Sequence, residues 1–104
     1  MGYYTQHTLK VIEGDPYLIT IFREESDTAN YSLNDDGKCR EESTWYDSNT
    51  DMKNFSIKHP EALFQMDGEG EKSGDIWRQY WKNGKVQNIR AVLTYEPYDP
   101  NKLI

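Results

Sequence analysis

Residues 76–95 read IWRQYWKNGKVQNIRAVLTY, two alternating segments hinged on Asn83-Gly84. Asn-Gly is a strong hairpin signal because both residues accept the positive φ of a type I′ turn. A two-residue turn fixes the register, with Trp81 opposite Val86 and Tyr80 opposite Gln87, and predicts strands over residues 76–82 and 85–95. Trp77, Gln79 and Trp81 then share one side, while Ile76, Arg78 and Tyr80 share the other with Ile89, Ala91 and Leu93. Both sides carry apolar groups. Either the indoles are core, or part of an aromatic patch stays exposed, as it does at interfaces.

Upstream, residues 67–75 read DGEGEKSGD, a polar, glycine-rich run expected to be a loop or hairpin connection, and Ala62–Met66 is expected to be the strand before it. His59-Pro60 ends a predicted helix that starts at Asp47 or Ser48 and carries Met52, Phe55 and Ile57. Before it, residues 38–45 are expected to form a weak edge strand, preceded by a turn at Asn34-Asp35-Asp36-Gly37 and a polar stretch from Ser26. The period of two from Tyr3 to Ile12 predicts the first strand. Asp15-Pro16 after Gly14 predicts a helix carrying Leu18, Ile21, Phe22 and Tyr17. The tail from Pro97 has no period and is expected to lie extended. The expected order is β-α-β-α-β-β-β, an α+β fold with two helices on one face of a mainly antiparallel sheet.

The chain has 104 residues, 36% hydrophobic and 29% charged, enough for one small core and one domain over residues 1–104. No apolar run reaches the roughly 18 residues that span a bilayer, and the start carries no secretory pattern, so a cytoplasmic protein is expected. The single cysteine, Cys39, fits a reducing compartment and is expected to be a half-buried strand residue.

The charge is lopsided along the chain. The net charge is −6, yet residues 1–75 hold sixteen acids against seven bases and residues 76–104 five bases against two acids. Such a field disfavours direct contact with nucleic acid and favours a basic partner, although acidic solvated faces are common in small cytosolic proteins. Irregularly spaced carboxylates could also imitate duplex phosphates in a Lys/Arg groove.

Catalytic chemistry is poorly supplied. His7 and His59 have no nucleophile at a recognisable spacing and are expected at the surface or at a helix end. No phosphate loop, dinucleotide fingerprint, HExxH or CxxC motif is present. Asp67, Glu69, Glu71 and Asp75 are hard oxygen donors, but they miss the EF-hand order, so a solvated loop is favoured over a calcium or magnesium site. No cofactor or metal is expected.

In MGYYT at the start, Trp45-Tyr46-Asp47, His59-Pro60 with Ala62-Leu63-Phe64, the block GEGEKSGDIWRQYWKNGK from Gly68 to Lys85, and Pro97-Tyr98-Asp99-Pro100, the chain resembles a family of small, acidic, uncharacterised proteins encoded by bacteriophages and prophages. The family has no settled activity, so no functional residue carries over. What the resemblance implies is a phage setting, in which small acidic proteins neutralise host defence machinery by binding it, anti-CRISPR proteins among them.

The expected function is a non-enzymatic inhibitor that binds a host protein with a basic surface, of a nucleic-acid-handling defence type. Candidate contacts are Asp67, Glu69, Glu71, Asp75, Trp77, Trp81, Asp35 and Asp36. A competing reading is a small-ligand or nucleotide-binding domain that stacks aromatic rings on a base, and a third is an acidic metal-dependent hydrolase. Oligomeric state is left open.

Overall fold

The computed structural model describes residues 2–104, and within them the hairpin organises an α+β domain. Four strands, β1 (Thr5–Glu13), β2 (Leu63–Gly70), β3 (Ile76–Lys82) and β4 (Lys85–Arg90), form one antiparallel sheet in the order β1-β2-β3-β4. Asn83 and Gly84 take φ of 47° and 77°, and Trp81 pairs with Val86 and Tyr80 with Gln87, as the Asn-Gly turn dictates. Helices α1 (Leu18–Glu25), α2 (Asp27–Ser32) and α3 (Ser48–Lys58) supply the core side chains that cover one face, so the opposite face of the sheet has no layer over it.

The covered face is built from alternate strand residues. Leu9 on β1, Phe64 and Met66 on β2 and Trp81 on β3 meet Ile19 and Phe22 of α1, Ala29 of α2, and Met52 and Phe55 of α3. Phe22, Phe55 and Phe64 form a run of tilted rings at centroid separations of 4.6 and 5.4 Å. Helix α3 also closes the hairpin, because the Gly84 amide donates to Ser56 Oγ at 2.9 Å. Ile57 and Tyr17, expected in the apolar stripes, instead lie exposed.

Five expectations are corrected, the first being the extended tail, which contains a 3-10 turn at Pro100–Lys102 opened by Asp99 Oδ1 accepting from the Asn101 amide at 2.9 Å. The polar stretch after Ser26 contains α2, a short helix whose start is capped by Ser26 Oγ accepting from the Ala29 amide at 3.2 Å. Residues 38–45 form no strand and make only isolated bridges, Leu33 with Cys39 and Thr5 with Ser43. Their composition, KCREESTW, has no alternating apolar side for a sheet to bury. Strand β2 runs on to Gly70, so only residues 71–75 connect it to β3. Glycines at 68 and 70 permit this: Trp77 carbons fill the place of a Gly68 Cβ and the Tyr3 ring that of a Gly70 Cβ. Finally, β4 stops at Arg90, because β3 starts at Ile76 and offers nothing beyond the Ala91 amide, which donates to the Ile76 carbonyl at 3.1 Å.

Gly37 fixes the 34–37 turn against the outer edge of β1. Its φ is 85°, its carbonyl accepts from the Leu9 amide at 2.8 Å, and a Cβ there would collide with the Leu9 carbonyl oxygen. Gly37→Ala is therefore expected to cost about 2 kcal/mol in urea denaturation, combining a left-handed backbone with a clash that no side chain can relieve.

Candidate functional site

The candidate residues fall into three separate places. Trp81 is interior, only 3% exposed, with Nε1 donating to Gln79 Oε1 at 3.1 Å, so it cannot touch a partner on the native surface. Its parity with Phe64, which it faces across β2 and β3, puts it on the covered side. Trp77 lies on that same side, half-buried, with its ring across Gly68 and its centroid 5.9 Å from that of His7. The two indoles therefore face away from the exposed acids of β2.

Asp35 and Asp36 sit at the 34–37 turn beside the middle of β1. Asp35 pairs with Arg23, and Asp36 Oδ1 accepts from the Lys38 amide of its own turn at 3.0 Å. Both serve local structure, and the fold does not bring them to the 67–75 segment.

Asp67, Glu69, Glu71 and Asp75 lie toward the other end of the sheet, but three are already engaged. Asp67 accepts from Arg78 Nε at 2.8 Å and Nη2 at 3.2 Å, a two-pronged pair that holds the guanidinium even more firmly protonated. Asp75 accepts the Tyr3 hydroxyl at 2.6 Å, which raises the Tyr3 pKa, and also meets Arg90 at 3.4 Å. Glu71 accepts the Tyr4 amide at 3.1 Å. Because these carboxylates turn to different partners, they do not converge on an ion, and no cluster of three metal-ligating residues exists among the described residues.

What the fold adds to this end is Glu41 and Glu42. The Thr5–Ser43 bridge, with amide-to-carbonyl distances of 2.9 and 3.0 Å, draws residues 41–43 against the start of β1. Gln6 Nε2 donates to Glu42 Oε1 at 3.2 Å, and Gln6 stands directly opposite Glu69 in the sheet. Glu41, Glu42, Glu69 and Glu71 therefore surround Tyr4 and Gln6, with Arg40 and Lys72 as the interspersed cations. Tyr4 is exposed and supplies an aromatic ring to this corner. No local signal marks Glu41 and Glu42 as its members, since a bridge across thirty-eight residues of sequence places them there.

On the uncovered face, Gln6, Thr8, Asp67, Ile76, Arg78 and Ile89 line a shallow groove of about 460 Å³. Its two carboxylates, Asp67 and Glu69, are matched by Arg78 and Arg90 in the same lining. No family model matches the chain, and no curated protein or solved structure matches it either.

Of the two histidines, His59 is half-buried at the C-terminal end of α3, as expected of a helix end, and Cys39 is half-buried as well. His7, expected at the surface, is instead 3% exposed between Trp45 and Trp77. Burial lowers its pKa to about 4, against an opposing hydrogen bond with the Thr5 backbone. Its Nδ1 lies 3.5 Å from Ser43 Oγ, which accepts in turn from Ser32 Oγ at 2.7 Å. Among the described residues no carboxylate hydrogen-bonds the ring. Burial likewise raises the Cys39 thiol, which keeps it a poor nucleophile. No helix among the described residues is long and apolar enough to cross a membrane.

Proposed function

We propose that the protein is a non-enzymatic binding module of phage type that docks its acidic corner on a basic surface of a host protein, of a nucleic-acid-handling defence kind, and blocks it by occupation. The observation that carries this reading is the gathering of Glu41, Glu42, Glu69 and Glu71 around the exposed Tyr4 at one end of the sheet. Asp67 and Asp75 are paired with Arg78 and Arg90, whereas the hydrogen bonds of Glu42 and Glu71 go to the uncharged Gln6 side chain and Tyr4 amide, so these four keep their charge for the local field. A ring of solvated carboxylates around an aromatic anchor suits a Lys/Arg-lined surface, through electrostatic steering and fixed register. The resemblance of Gly68–Lys85 to phage proteins supplies the biological setting.

Affinity capture from bacterial lysate, with subsequent salt titration, tests this reading. A saturable partner with a basic surface is expected, released as salt screens the field over about 0.1–0.5 M. The variant Glu41→Gln/Glu42→Gln/Glu69→Gln/Glu71→Gln is expected to bind it at least about tenfold more weakly, at unchanged fold. A partner that the variant retains equally, or binding indifferent to salt, contradicts the proposal. The groove on the uncovered face keeps a small-ligand reading in view, and a metabolite co-eluting with the purified protein would favour it over protein docking.

A further inference from the structure

The strand pattern of β4 outlives its partner. Residues 91–95, AVLTY, follow β4 directly and keep a strand-forming composition of β-branched, apolar and aromatic side chains, yet β3 reaches only to Ile76 and leaves them without a neighbouring strand among the described residues. Val92, Leu93 and Tyr95 are 84%, 81% and 86% exposed. The radius of gyration is 16.4 Å, against about 13 Å for a compact chain of this length, because this arm projects from the domain. There is no glycine after Gly84, and Pro97 restricts the residue before it to extended conformations, so the arm stays extended up to the 3-10 turn at Pro100–Lys102.

Backbone direction says which edge is open. Lys85 faces Lys82 across the two-residue turn and Ala91 donates to Ile76, so the odd-numbered residues of β4 turn their amides and carbonyls toward β3. Continued into the arm, this alternation turns Arg90, Val92, Thr94 and Glu96 toward the free edge. Among the described residues none bonds the backbone of Val92 or Thr94.

We propose that two copies of this chain associate by antiparallel pairing of residues 90–96 about a two-fold axis at Leu93. In this register Leu93 meets Leu93 of the partner subunit, Val92 meets Thr94, Ala91 meets Tyr95, and Arg90 meets Glu96. The segment is complementary to itself in shape and charge. Pairing one residue out of step loses the Arg90–Glu96 match, and pairing β4 with β4 over its own length puts Lys85 against Arg90. Pro97 is compatible with the arrangement, because its position turns the missing amide away from the partner. Arg90 meets Asp75 only at 3.4 Å, and its five donors allow it to serve both carboxylates.

Each arm contributes about seven residues, less than a standard interface, so association in the range of about 1–100 µM is expected. Sedimentation equilibrium of the purified full chain tests it, without reference to any host partner. Leu93→Asp puts two carboxylates on the axis and is expected to weaken the dimer at least about tenfold. Arg90→Glu and Glu96→Arg should each weaken it, and the two together should restore it. In a Cys39→Ser chain, Leu93→Cys should form a disulfide-linked dimer on mild oxidation and Val92→Cys should not, because only residue 93 faces itself across a non-hydrogen-bonded pair. These positions lie outside the core, and circular dichroism checks that the fold is kept. A chain that stays monomeric at about 100 µM, a dimer unaffected by Leu93→Asp, or a double charge swap that fails to restore pairing overturns the proposal.

Discussion

Trp81→Ala is expected to destabilise the protein by about 3–5 kcal/mol and to lower its melting temperature by more than about 12 °C. The indole faces Phe64 across the sheet and belongs to the core cluster, so truncation leaves a cavity between the sheet and α3. A second loss comes from its hydrogen bond. Gln79 accepts from Trp81 Nε1 at 3.1 Å and uses its own Nε2 to reach Asn49 on α3 at 2.9 Å and Asn88 on β4 at 3.0 Å. Trp81→Phe keeps most of the packing but orphans Gln79 Oε1, and is expected to cost about 1–3 kcal/mol. Differential scanning calorimetry of the two variants separates the effects. A Trp81→Ala chain as stable as the parent would place the indole outside the core.

Acidification is expected to remove about 3 kcal/mol through His7 alone. The folded state holds this pKa at about 4, whereas an unfolded histidine titrates near 6.5. Above pH 6.5 neither state binds the proton and the stability is intact. As pH falls from 6.5 toward 4 only the unfolded chain takes it up, and each pH unit costs about 1.4 kcal/mol until the folded histidine also titrates. Trp45 and Trp77 flank the ring and Ser43 meets its Nδ1, and none of the three offers a compensating negative charge. Urea denaturation at pH 7 and pH 5 should show a loss of about 2 kcal/mol in the parent and almost none from this source in His7→Gln. Equal losses in both would assign the acid sensitivity to the carboxylates.

Strong local signals make much of the fold legible. Asn83-Gly84 dictates the hairpin and its register by conformation alone, and the apolar spacing of Met52 and Phe55 marks α3. Helix α2 is hidden because six residues, DTANYS, have no apolar period, and it rests on the Ser26 cap and burial of Ala29. The polarity of residues 67–70 conceals the end of β2, where the glycines make room for aromatic rings rather than for turns. The burial of His7 is present as a parity with Leu9 and Val11, although its polarity argues for the surface. The candidate site is the least legible part. The acids of residues 67–75 are visible, but the pairing of Asp67 with Arg78 and of Asp75 with Arg90, the hydrogen bond from Tyr3 to Asp75, and the arrival of Glu41 and Glu42 depend on contacts far apart in sequence.

Hydrogen exchange on the protein bound to its captured partner tests the docking proposal most directly. Protection is expected over residues 3–6, 41–43 and 68–72, the segments that carry the acidic corner, with little change along β4 and the arm. Protection confined to residues 85–104, or to the helical face, would contradict it.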